Sequence, residues 1–137
     1  MPSLTLLTFV GGVPEMATFY QRLGVTFADT EPPWDALHRS GQAPGGLSVD
    51  LDAEHFAAKW NAGHPGGSHV VVGFSLETRE AVDATFRDMT DAGYKAQQDP
   101  YDAFWGARYA VLEDPDGNSV GLMSPLDPTR ASAPPAV

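Results

Sequence analysis

Apolar and polar positions change their period several times along the chain, and each change marks a new element. Leu4 to Val10 is a short run of Leu, Thr, Phe and Val closed by Gly11 and Gly12, the pattern of a mostly buried strand. A helical period follows: Met16, Phe19, Tyr20 and Leu23 recur at i, i+3, i+4 and i+7, with Pro14 at the first helical position, Glu15 near the positive end of the dipole, and Gly24 as the stop. Val25 to Asp29 and Trp34 to Arg39 read as strands on either side of the turn Pro32-Pro33. Gly41 to Gly46 reads as a turn, and Leu47 to Leu51 alternates as the next strand. The first half is thus βαβββ.

The second half repeats this order. Val70 to Leu76 predicts a strand, and Thr78 predicts the cap of a helix with Val82, Phe86 and Met89 on one face and Gly93 at its end. Tyr94 to Gln98, Ala107 to Glu113 and Ser119 to Ser124 complete the set, the last two joined by a turn at Asp114-Pro115-Asp116-Gly117. Short matches fall at equivalent places, Ala17-Thr18-Phe19 against Ala84-Thr85-Phe86 and Ser48-Val49-Asp50-Leu51 against Ser119-Val120-Gly121-Leu122. Asp52 to Ala62 predicts a linking helix capped by Asp52, with Phe56 and Trp60 on one side. The expected division is residues 1–63 as one module, 64–125 as a second sharing the same core, and 126–137, rich in Pro, Ala and Ser, as a disordered tail.

The fold class is therefore α+β: two tandem βαβββ modules forming a curved mixed sheet. Helices cover one face, so alternation sends Val49, Leu51, Val72, Phe74, Leu76, Val120 and Leu122 to that side. Ser48, Asp50, Asp52, Val71, Gly73, Ser75, Ser119, Gly121 and Met123 are left on the concave side, which forms a trough where a ligand is expected.

Composition narrows what that trough can serve. The 137 residues, 42% apolar and 19% charged, suit one globular domain. Eighteen acidic against eight basic residues give a formal charge of -10, which disfavours nucleic acid and anionic membranes as partners. The absence of cysteine removes disulfides, thiolate nucleophiles and sulfur-ligated zinc. No signal-peptide pattern opens the chain, and its longest apolar runs are far below the roughly 20 residues that span a bilayer. A cytoplasmic location is the expectation.

The Phe19-Tyr20-x-x-Leu23-Gly24 helix, the Trp105-Gly106-x-Arg108 stretch and the Asp114-Pro115-Asp116-Gly117-Asn118 turn resemble the vicinal oxygen chelate superfamily, which includes glyoxalase I, extradiol dioxygenases, fosfomycin-modifying enzymes and bleomycin-resistance binding proteins. The resemblance covers about residues 4 to 125. It implies paired βαβββ modules, a homodimer, and, in the enzymes, a divalent metal held by His, Glu or Gln side chains from the first and last strand of each module. Here the place of the final glutamate is Gly121, with Asp50 at the corresponding place in the first module. The histidine place of the fifth strand falls at Val71, and its equivalent in the first strand at Leu4 or Thr5. Asp50 with His69, two residues before Val71, is the most that a relocated metal site could use, and a catalytic metal needs about three protein ligands.

Without metal ligands the trough keeps its aromatics. Trp34, His38, Asp50, Trp60, Tyr101, Phe104, Trp105, Tyr109 and Met123 are the expected ligand-binding residues, and neither a metal nor another cofactor is expected. The reading is of a binding protein that sequesters a bulky, partly aromatic small molecule, a natural-product antibiotic, without chemistry. The alternatives are a metal-dependent lyase, isomerase or dioxygenase using Asp50 and His69, and metal-free acid–base chemistry by His38 or His69 with Asp50.

Overall fold

A computed structural model describes residues 1–136. In chain order its elements are β1 (Ser3–Val10), α1 (Val13–Gln21), β2 (Thr26–Phe27), β3 (His38–Gln42), β4 (Ser48–Asp52), α2 (Glu54–Trp60), β5 (His69–Ser75), α3 (Arg79–Asp91), β6 (Lys95–Asp102), β7 (Arg108–Glu113) and β8 (Ser119–Met123). The strands form an eight-stranded mixed sheet ordered β2-β3-β4-β1-β5-β8-β7-β6. Within each half the first strand pairs parallel with the last, β1 with β4 and β5 with β8, and the halves meet where β1 runs antiparallel to β5.

The helix side of the sheet follows the alternation. Val49 and Leu51 are buried, while Leu122 packs with Leu76, Ala110 and Leu112 around Val82 of α3. Thr78 caps α3 by accepting a hydrogen bond from the Ala81 amide. Gly24 and Gly93 follow α1 and α3 with φ of +95° and +98°, the left-handed conformation that lets a chain leave a helix sharply.

Local readings fail where tertiary contacts outweigh pattern. In α1 the buried residues are Val13 and Ala17, with Met16 and Tyr20 beside them, while Phe19 and, just past the helix end, Leu23 are 59% and 64% exposed. Positions 13, 16, 17 and 20 fit the helical period as well as the expected set does, and Tyr20 stacking on Phe9 at 4.8 Å fixes the rotation. Trp34 to Ala36 is a 3-10 turn rather than strand, so β3 begins at His38 and runs into the expected turn as far as Gln42.

Asp52 does not cap α2, which begins after Ala53 without a side-chain cap. Its carboxylate is held inside the trough instead. The segment after Leu126, expected to be disordered, lies against the β6–β7 connection: the Asp127 amide donates to the Gly106 carbonyl and the Ser132 amide to that of Phe104, both backbone bonds that sequence composition does not encode.

Candidate functional site

The β3–β4 hairpin register sets His38 directly opposite Asp52, and Ser40 opposite Asp50. Residues two apart share a sheet face, so all four polar side chains project into the trough. Asp52 is 4% exposed, and both its oxygens are engaged: Oδ1 is 2.5 Å from Nδ1 of His38, and Oδ2 accepts from the Trp60 indole N–H at 2.8 Å. The other imidazole nitrogen, Nε2, lies 3.0 Å from the Ser40 hydroxyl. Burial pulls the His38 pKa down, but the Asp52 hydrogen bond and the charges of Asp52 and Asp50 outweigh it, so the imidazole is held above its ordinary 6.5.

Asp50 is the carboxylate left without such a clamp. Burial is the main cause that pushes its pKa up to about 6, opposed by the His38 charge, reinforced by Asp52, and opposed again by the Ser40 hydroxyl and Gly41 amide.

Around this polar corner the aromatic side chains form one continuous wall. Trp34 meets Phe56 edge-on at 5.4 Å and Phe56 meets Phe104 at 6.3 Å. Phe104 meets Trp105 at 5.1 Å, Trp105 meets Tyr109 at 5.2 Å, and Tyr109 meets Trp60 at 5.9 Å. These are the spacings of favourable edge-to-face pairs. Met123 fixes one tilt, its sulfur accepting from the Trp105 indole at 3.2 Å. The wall and the polar corner enclose a cavity of about 450 Å³, with Leu6 and Thr8 on its floor and Leu126 and Pro134 of the C-terminal segment at its rim.

Of the expected ligand-binding residues, Trp34, His38, Asp50, Trp60, Phe104, Trp105, Tyr109 and Met123 line this cavity, and Tyr101 does not. Tyr101 stands behind the wall, donating its hydroxyl to the Trp60 carbonyl at 3.0 Å and meeting Tyr109 edge-on. Its place is structural because β6 runs outside β7 at the sheet edge. Residues of the cavity overlooked in the sequence are Phe56, Ser40 and Thr8, while Asp52 was expected on the trough face but not among the ligand-binding residues. Alternation along β3 signalled Ser40, which shares a strand face with His38 and stands opposite Asp50.

A divalent metal does not fit the donors present. His38 has both nitrogens committed and Asp52 both oxygens, leaving Asp50 alone. His69 is not brought to Asp50. Thr8 of β1 lies between Asp50 and Val71, which puts those two about 10 Å apart across the strands, and His69 stands two residues further along β5, about 12 Å from Asp50; it stacks instead on His64 at 5.8 Å. Thr5, one of the candidates on the first strand, is bonded to Ser75 through its hydroxyl, and Leu4 is exposed. At the glutamate place, a Cβ on Gly121 would lie 2.8 Å from the Tyr109 hydroxyl, so the tyrosine ring occupies the space a ligating side chain would need. Among the described residues no group of three or more His, Asp or Glu side chains converges in a metal-binding arrangement.

The duplicated βαβββ sheet and its trough define a class of proteins, and comparison with known sequences and structures names it. The family model of the Glyoxalase/Bleomycin resistance protein/Dioxygenase superfamily matches residues 4–122, and the chain belongs to that superfamily. No curated protein matches it. Among solved structures it is similar to a protein described as NAD-dependent benzaldehyde dehydrogenase from Legionella pneumophila, with a TM-score of 0.65 and 19% identity over 87% of this chain and 96% of that one. It is also similar to methylmalonyl-CoA epimerase from Mycobacterium tuberculosis, TM-score 0.59, 17% identity, 94% and 91% covered. The Mn(II)-bound glyoxalase from Novosphingobium aromaticivorans has a TM-score of 0.62 and 17% identity over 90% of this chain and 40% of that longer one. At these identities the likeness is one of fold.

Proposed function

We propose that this chain binds a bulky, partly aromatic small molecule, of the kind natural-product antibiotics represent, and sequesters it without chemical change. The observation that carries the reading is the aromatic wall from Trp34 to Trp60 closing on a cavity in which His38, Ser40, Asp52 and the Trp60 indole are bonded to one another. The cavity of about 450 Å³ is in the range that holds a drug-sized ligand. Each stacked ring adds roughly 0.5–1.5 kcal/mol beyond burial of area, so several contacts bring micromolar binding, about 8 kcal/mol, within reach. Pairing of two chains belongs to this reading, supported by the exposed Phe19 of α1 and Leu23 just after it and testable by light scattering.

The test is calorimetry and tryptophan quenching against glycopeptide, anthraquinone-like and enediyne antibiotics, with mass spectrometry of the recovered ligand. Saturable one-to-one binding of unaltered ligand, weakened in Trp34→Ala, supports sequestration. The absence of binding to any of them opposes it, and a chemically altered ligand favours an enzyme. The metal-dependent alternative predicts a stoichiometric metal after chelator-free purification that is lost in Asp50→Ala.

A further inference from the structure

The aromatic cavity is not isolated. A second, more open hollow adjoins it, lined by Thr5, Thr26, Gln42, Ser48 and Ser75 with Phe27, and the two share Leu6, Ser40, Asp50 and Met123. The trough therefore changes character along its length. Beyond the closed aromatic end it becomes a groove of hydroxyl and amide side chains on the inner face of β1 to β5. Asp50 stands at the junction.

We infer that the trough takes a two-part ligand: a flat ring system against the aromatic wall, a hydroxylated extension such as a sugar along the adjoining groove, and a basic nitrogen between them, facing Asp50. The inference rests on the proposed binding function and specifies its ligand. Three observations converge on it. The groove presents short hydroxyl and amide side chains, paired as Thr5 with Ser75 and Gln42 with Ser48, that can both donate and accept, which suits a polyhydroxyl group, and Phe27 is its one aromatic ring. Asp52, the other carboxylate at this corner, is sealed by His38 and Trp60, so Asp50 is the anion free to meet a ligand cation. An ammonium at the junction would also lie at the mouth of an aromatic enclosure, where ring faces attract cations. The charged groups around that position are His38 from β3 and Asp50 and Asp52 from β4, while β1, β5 and β8 contribute Leu6, Thr8, Ser75 and Met123.

Three naphthyl probes test this by tryptophan quenching at pH 7.5: 2-naphthol, its neutral glucoside, and the matching amino-sugar glycoside. The expected order is the aminoglycoside tightest, by at least about tenfold over the neutral glucoside, a margin of about 1.4 kcal/mol within the range of hydrogen bonds to charged groups. Asp50→Asn should erase that margin, so that the variant binds the neutral and amino glycosides with equal affinity. Gln42→Leu, at an exposed position of the groove, should weaken both glycosides more than 2-naphthol by removing the amide, so the claim does not depend on one variant folding. Equal affinity for the neutral and amino glycosides, or a margin that survives Asp50→Asn, overturns the inference while leaving the binding function standing. Failure of all three probes to quench overturns both.

Discussion

Replacing Asp50 by asparagine should make the protein more stable, and only above a definite pH. The folded carboxyl is raised from 3.8 to about 6, chiefly by burial. At about 1.4 kcal/mol for each factor of ten in the equilibrium, this is an unfavourable contribution of about 3 kcal/mol once Asp50 is ionised. The attraction of His38 is already contained in that value. Because the folded pKa is raised, what Asp50 contributes to stability is fully present below pH 3.8 and is lost as the pH climbs through 6. Asparagine removes the buried charge but accepts fewer hydrogen bonds from Ser40 and Gly41, a loss of roughly 0.5–1.5 kcal/mol. Urea unfolding of both proteins from pH 4 to pH 8 should therefore show little difference at the acid end. The gap should open between about pH 4 and 6, reaching about 2 kcal/mol in favour of Asp50→Asn at pH 7.5. A variant that is less stable at pH 7.5, or a gap that does not vary with pH, would refute the view that Asp50 is a costly, desolvated charge.

Asp52→Ala should act in the opposite sense, since it strips the partner from both His38 and the buried Trp60 indole; a loss of about 3–5 kcal/mol in urea unfolding is expected. The His38 pKa, followed by NMR, should fall in that variant, and because His38 is held above 6.5 when folded, its contribution to wild-type stability is full below pH 6.5 and fades as pH rises through the folded value. Gly121→Ala should cost about 1–3 kcal/mol by overpacking against Tyr109, and the cost should shrink in a Tyr109→Phe background, where the hydroxyl 2.8 Å from the new Cβ is gone; equal costs in the two backgrounds would show that the tyrosine is not the obstacle.

The paired βαβββ order was legible because it is written in period and punctuation: apolar alternation at Leu47 to Leu51 and Ser119 to Ser124, and glycines at 24 and 93 where both main helices end. The trough face of β4 was legible for the same reason. The aromatic wall was legible as a set of residues and not as an arrangement. Nothing local distinguishes Tyr101, which braces the wall from behind, from Tyr109, which forms it; the difference lies in which strand is outermost. Asp52 illustrates a related limit. In the sequence it reads both as a trough-face residue and as the cap of the linking helix, and the structure keeps only the first, because the cross-strand register places His38 opposite it and a charged partner with an indole N–H outweighs one backbone amide. Pro134 and Leu126 escaped notice because a tail of Pro, Ala and Ser contains no pattern from which docking could be inferred.

The halves of a duplicated fold offer the same position twice, and this chain uses the two in opposite ways. Asp50 and Gly121 correspond in the repeated segments Ser48 to Leu51 and Ser119 to Leu122, and both lie on the inner face of a strand paired parallel to the first strand of its module. In the first module the position carries a carboxylate at the edge of the cavity. In the second it carries no side chain, and that absence admits the Tyr109 ring to the space, closing the aromatic wall between Trp105 and Trp60. The glycine is therefore more than a missing glutamate: it moves the hollow off the axis of the duplication toward the first module, so that rings bound one side of the space and Asp50, Ser40 and the His38–Asp52 pair the other. The ligand proposed above, with a flat apolar side and a polar, cationic side, matches that asymmetry.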